Sequence, residues 1–178
     1  MKKVLILSSS PRRGGNSDTL CDAFYRGAVE AGHAVEKIFL RDKTINYCTG
    51  CSVCSLHGKA CPQKDDAAEI IHKMLDAEVL VMATPVYFYT MSAQMKTLID
   101  RCCGLYTKMS DKEFYFIATA ADEDKSHLLR TIDTFQGFLD CLDRPVVKGT
   151  VLGTGVWHAG EIKDRPAVQE AYEMGKNV

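Results

Sequence analysis

Four cysteines fall within fourteen residues as Cys48-x2-Cys51-x2-Cys54-x6-Cys61, with Pro62 directly after the last. Thiolates at two-residue spacings can converge on one centre without help from distant sequence, so the run could hold an iron–sulfur cluster or a zinc ion. Structural zinc normally uses two separated Cys-x2-Cys pairs, and no such gap is present; His57 lies inside the run at no zinc-binding spacing. The spacing is nearer the bacterial iron–sulfur run that ends in Cys-Pro, although its last interval there is three residues and here six. Cys48, Cys51, Cys54 and Cys61 are therefore candidate ligands of one [4Fe–4S] cluster. The alternative is a loop of free or redox-active thiols that responds to oxidation without metal. Cys21, Cys102, Cys103 and Cys141 stand at helical positions and are expected to be buried, where cysteine packs as a small apolar residue.

Two further segments could do chemistry. Ser8–Asn16 follows a short apolar run and is rich in hydroxyls, with Gly14 and Gly15 allowing close backbone approach and Arg12 and Arg13 adding charge. At a helix start such a loop suits a monophosphate. It has neither Gly-x-Gly-x-x-Gly nor Gly-Lys-Ser/Thr, so dinucleotide and Walker-type sites fit poorly. The plainer alternative is a polar turn. Thr84–Met91 carries Pro85, Val86, Tyr87 and Phe88, which could cover a planar ring or pack against a helix or second subunit.

Elements that position these loops follow from periodicity. Apolar runs at Val4–Leu7, Val79–Thr84 and Phe114–Thr119 predict strands, the second of them central and covered on both faces; Val35–Leu40, which carries more charge and so lies nearer an edge, and Val146–Leu152 predict two more. Between them, helical spacing appears at Leu20, Phe24, Ala28; at Ala67, Ile70, Ile71, Met74; at Met95, Leu98, Ile99, Cys102; and at Leu128, Ile132, Phe135, Leu139. Alternation of strand and helix predicts an α/β fold, a doubly wound five-stranded parallel sheet in three α/β/α layers. Its ligand would lie beyond the strand carboxyl ends, where Ser8–Asn16, Thr84–Met91 and Thr119–Asp124 meet. Residues 1–178 read as a single domain, with a cysteine-rich loop at about 41–64 and a weakly helical, polar tail from about 156.

Hydrophobic residues make up 46% of the 178 and charged residues 25%, ordinary for a soluble globular domain. A net charge of −1 gives no electrostatic basis for nucleic acid or membrane partners. No apolar run is long enough to span a bilayer, and Met1–Leu7 reads as a strand rather than a leader. The expected compartment is the cytoplasm, where clustered cysteines bind metal or do redox chemistry more often than they form structural disulfides.

Ser10-Pro11-Arg12 with Asn16-Ser17, the cysteine run followed by Asp65-Asp66, and Thr84-Pro85-Val86-Tyr87-Phe88 with Gln94-Met95-Lys96 and Asp100-Arg101 together resemble the NADPH-dependent FMN reductase family. The cysteine spacing resembles its iron–sulfur flavoprotein branch. The resemblance runs from Met1 to about Leu142. It implies a flavodoxin-like fold binding FMN, with Ser10, Arg12, Asn16, Ser17 and Thr19 at the phosphate. It also implies Pro85, Val86, Tyr87 and Phe88 at the isoalloxazine ring, with Thr119 and Ala120 nearby. The third loop departs from the family in being acidic and lacking glycine. Homodimers or homotetramers are implied, with NAD(P)H as co-substrate and a small-molecule acceptor or a redox protein as partner. Hydride transfer between stacked rings requires no side-chain acid or base, and no catalytic residue is assigned. The competing class is a non-enzymatic iron–sulfur/FMN electron carrier.

Overall fold

The three continuous apolar runs become central parallel strands covered on both faces, and the two more polar segments become the edges. In the computed structural model, which describes all 178 residues, the strands are β1 (Lys3–Ser8), β2 (Ala34–Phe39), β3 (Val79–Pro85), β4 (Glu113–Thr119) and β5 (Val146–Gly153). They form one sheet in the order β2-β1-β3-β4-β5, with every neighbouring pair parallel. This is the flavodoxin-like order, and its switch point lies between β1 and β3. The expected fold is the one observed.

The helices are α1 (Asn16–Glu30), α2 (Val53–His57), α3 (Ala67–Asp76), α4 (Ala93–Arg101), α5 (Lys125–Leu139) and α6 (Pro166–Lys176). Alternate strand residues divide the core in two. Leu5, Leu7, Leu80, Met82, Phe114 and Phe116 face α3, α4 and α5, and Phe135 of α5 stacks on Phe116 with ring centroids 4.9 Å apart. Val4, Ile6, Val79, Val81, Tyr115 and Ile117 face α1 and α6, where Phe24 meets Tyr115 edge-on at 5.2 Å. No helix is long and apolar enough to cross a membrane.

Three local expectations need correcting. Helix α4 ends at Arg101, and Cys102–Gly104 is a 3-10 turn that rotates Cys103 outward. Cys103 and Cys141 are exposed, whereas Cys21 and Cys102 are buried and burial pushes both thiols up to about 12. The tail, expected to be weakly helical and polar, is helical from Pro166 but packs one face into the core. Ala167, Ala171 and Gly175 of α6 are buried, a small-residue stripe that carries little hydropathy signal yet lets the helix backbones touch. A Cβ added at Gly175 would collide with the carbonyl of Phe24, and one at Gly27 with that of Tyr172.

This contact predicts an asymmetry between two helical glycines. Gly175→Ala should lower unfolding free energy by roughly 2 kcal/mol or more through overpacking. Gly137→Ala on α5, where an added Cβ meets nothing within 4 Å, should be neutral or stabilising by up to about 1 kcal/mol. Urea denaturation of both variants checks the difference.

Candidate functional site

Backbone hydrogen bonds gather four loops at the carboxyl edge of the sheet. Ser9 N–H donates to Ala83 O at 3.0 Å, Val86 N–H to Thr119 O at 2.8 Å, Ala120 N–H to Gly153 O at 2.9 Å and Val156 N–H to Ala120 O at 2.9 Å. Beneath them lies a buried hydroxyl cluster: Ser92 Oγ is 2.9 Å from Ser9 Oγ, and Thr84 Oγ1 accepts from Ser92 N–H at 2.8 Å. These bonds fix where each loop leaves the sheet.

A cleft of about 150 Å³ opens between the loops. Of the expected residues, Ser10, Arg12, Asn16, Ser17, Pro85, Val86, Tyr87, Thr119 and Ala120 line it, as does Gly15 of the first loop, and so do Ala121, Val156 and Trp157, which were not among the assigned site residues. Helix α1 begins at its floor. Its N-cap is Gly15, with no side chain accepting from the first-turn N–H groups, so the positive end of the helix faces the cleft unmet. The Ser17 hydroxyl there is buried with no partner. Gly15 is needed for close approach, because an added Cβ would sit 2.8 Å from Ser10 Oγ and 2.9 Å from Arg12 O. An uncapped helix start, a lone buried donor and a side-chain-free cradle form a site chemically suited to an oxyanion such as a phosphate.

Other expected residues stand differently. The Thr19 hydroxyl donates to Gly15 O at 3.1 Å and is outside the cleft lining. Asn16 spends its amide on the chain after β5: Nδ2 donates to His158 O at 3.0 Å, while Oδ1 accepts from Gly160 N–H at 3.1 Å and Ile162 N–H at 3.3 Å. Arg12 Nη1 donates to Trp157 O at 2.9 Å. Arg13 points away to Asp42. Phe88 is 98% exposed and occupies, with Tyr89, the two central positions of a tight turn closed by Tyr87 and Thr90. Both have positive φ, 49° and 62°, costing about 1 kcal/mol or more each for residues with a side chain.

An unpaired carboxylate in the first turn of α1 would oppose an anion. Asp18, however, is satisfied from below by Gly14 N–H at 3.0 Å, the Ser8 hydroxyl at 3.2 Å and Lys37 Nζ at 2.9 Å. Burial alone would lower the Lys37 ammonium; Asp22 and Asp18 outweigh it and hold it above its usual range. The carboxylate is thus neutralised where it shapes the loop. The acidic third loop is equally occupied. Asp124 caps α5 through Ser126 N–H at 2.8 Å, and Asp122 accepts from Asp124 N–H and pairs with His127, which raises the imidazole.

The cysteine-rich loop stands on a buried clamp. The side chains of Arg101 and Asp65 are 2% and 1% exposed and 2.6 Å apart. The guanidinium also donates to Asn46 O at 2.8 Å and to Cys61 Sγ at 3.5 Å, and Asp65 accepts from Asn46 N–H and Ala67 N–H. Both ends of the loop are thereby tied to α4. Above the clamp the four thiols do not converge. Cys48 and Cys51 are exposed, Cys54 and Cys61 half-buried, and no group of three ligating side chains is close enough to hold a metal ion. Cys54 instead packs on Gly104; burial, then nearby Cys103, raises its thiol.

The profile of a family described as NADPH-dependent FMN reductase matches residues 2–158. An iron-sulfur flavoprotein of Archaeoglobus fulgidus is 43% identical over 101 residues, 57% of this chain and 45% of that protein. A second, from Methanocaldococcus jannaschii, is 43% identical over 99 residues, 56% of this chain and 51% of its own length. The chain therefore spans about half the length of these curated relatives. YwqN of Bacillus subtilis, provisionally named an NAD(P)H-dependent FMN-containing oxidoreductase, is 29% identical across 98% of this chain and 97% of that one. Among solved structures, the Trp repressor binding protein of Bacillus subtilis superposes with a TM-score of 0.71 at 29% identity, covering 97% of this chain and 99% of that chain.

The clamp yields a prediction with a pH signature. The Arg101 guanidinium holds the Asp65 carboxyl at about 2, below its ordinary 3.8. The unfolded chain therefore binds more protons between these values. The pair's contribution, about 2 kcal/mol, is complete above pH 4 and lost as pH falls toward 2. Arg101→Met should cost about 3 kcal/mol, because Asp65 is left buried without its partner. It should also remove that acid-sensitive increment and open residues 46–65 to protease, read by thermal unfolding at pH 7 and pH 3 with limited proteolysis.

Proposed function

Because this chain belongs to the NADPH-dependent FMN reductase family, we propose that it is an FMN-dependent oxidoreductase that uses NAD(P)H to reduce flavin, quinone or another small acceptor. One observation carries the cofactor assignment: α1 starts uncapped at the strand ends, with the buried Ser17 hydroxyl unpartnered beside it. In this reading Ser10, Ser17, the Arg12 guanidinium and the first-turn N–H groups hold the FMN phosphate. Asn16 and Thr19 serve it indirectly, Asn16 by tying down the chain after β5 and Thr19 by bonding Gly15 O. Pro85, Val86, Tyr87, Thr119 and Ala120 would flank the ring.

Bound FMN would supply the two-electron chemistry, taking hydride from a reduced nicotinamide. The chain's own contribution is position and electrostatics. The α1 dipole and Arg12 favour the phosphate charge, and Lys37 neutralises the nearby Asp18. Tyr87, on the lining, offers an aromatic face to the cleft's ligand. Phe88 stands out at the turn tip in a conformation that is unfavourable for a residue with a side chain, which supports a homodimer or homotetramer in which a second copy covers it. Sedimentation velocity reads that assembly, and a monomer at all concentrations would contradict it.

A [4Fe–4S] cluster on Cys48, Cys51, Cys54 and Cys61 belongs to the proposal on two supports, the run's spacing and the names of the curated relatives. The thiols as they stand do not fit it, and their dispersal favours a second reading in which the loop carries free thiols. About four iron and four labile sulfide per chain in anaerobically prepared protein would support the cluster, and none would support the thiols.

Two measurements test the main reading. FMN-loaded protein should oxidise NADH or NADPH in the presence of a soluble quinone or free flavin. Retained FMN without nicotinamide oxidation would favour the electron carrier instead. Ser17→Ala should move two quantities oppositely. Removing an unsatisfied buried hydroxyl should leave ligand-free stability unchanged or raise it by about 1 kcal/mol, while FMN affinity falls severalfold.

A further inference from the structure

The segment after β5 is built with more care than a connecting loop needs. Gly155 and Gly160 turn it at positive φ, 66° and 92°. Glu161 accepts from the N–H groups of Trp157 at 2.6 Å and His158 at 2.9 Å. Val156 and Ile162, at 4% and 0% exposure, anchor its two ends in the core. Asn16 and Arg12 then fasten its backbone to the floor of the cleft. What this strap presents is Trp157, the only tryptophan in the chain, a residue that lines the cleft while staying 67% exposed.

A large aromatic residue left two-thirds exposed at the edge of a cleft gains little from packing where it stands. Its backbone is held by bonds that do not involve the ring, so the fold does not require the indole. A π-face at a cleft mouth offers a stacking surface to a flat, electron-poor ring, an interaction that phenylalanine reproduces and alanine does not. We infer that Trp157 is a further binding residue of this cleft, stacking a planar heteroaromatic ring against its outer side. The inference rests on the flavin reading above. Two rings share this chemistry, the isoalloxazine of FMN and the nicotinamide of the co-substrate.

The test compares wild type, Trp157→Ala and Trp157→Phe by FMN titration, by visible circular dichroism of the bound flavin, and by the KM for NAD(P)H at saturating FMN. Trp157→Ala should weaken one ligand roughly tenfold, and Trp157→Phe should restore most of the loss. If the isoalloxazine is the ring, the FMN dissociation constant rises and the flavin dichroism changes. If it is the nicotinamide, only KM rises while kcat is kept. Wild type binding FMN with Trp157→Ala matching it in affinity, dichroism and KM would overturn the role of Trp157 alone. Equal losses in the alanine and phenylalanine variants would overturn stacking in favour of a structural role. A wild type that takes up no FMN would overturn the flavin reading and this inference with it.

Discussion

A helix that starts directly behind a buried strand leaves its first N–H groups pointing at whatever lies beyond the sheet. In this chain that constraint is left open. Gly15 supplies no cap, and the side chains that commonly cap a helix are all committed elsewhere or idle. Asn16 is turned to the strap after β5, Asp18 to Gly14, Ser8 and Lys37, and Ser17 is buried with nothing to bond. The unmet donors and the cleft above them define the site, and every other feature of the carboxyl edge is arranged around them.

Electrostatics and packing agree on this point. The one acid close to the helix start is neutralised by Lys37 from the edge strand β2, across a distance of 2.9 Å, and its other oxygen holds the loop through Gly14. The third loop, acidic in sequence, has Asp122 and Asp124 occupied in capping α5 and binding His127. The carboxylates near the cleft therefore serve as local structural groups.

The three central strands were readable from the sequence because strands covered on both faces are written as uninterrupted apolar runs, while the edge strands β2 and β5 carry charge and stay partly exposed. The strand order then places the loops after β1, β3 and β4 together without further information. What was not readable has a common cause. The strap at 156–162 is held by backbone groups to a side chain more than 140 residues away, and backbone hydrogen bonds leave no residue pattern. Helix α6 packs through Ala167, Ala171 and Gly175, small residues with little hydropathic weight. Cys103 and Cys141 were expected within helices but lie two residues past the ends of α4 and α5, where the chain turns and leaves them exposed. Tertiary placement also governs the cysteine run: its spacing points to a cluster, yet the fold fixes only its base, through Arg101 and Asp65.

The central claim is that the strand-end cleft recognises a phosphate joined to a planar ring. Calorimetric titration with FMN and with riboflavin, which differ only by that phosphate, tests it most directly. Charge-assisted bonds from the α1 start and Arg12 predict FMN binding at least about tenfold tighter than riboflavin. Equal affinity for the two, or no uptake of either, would contradict it.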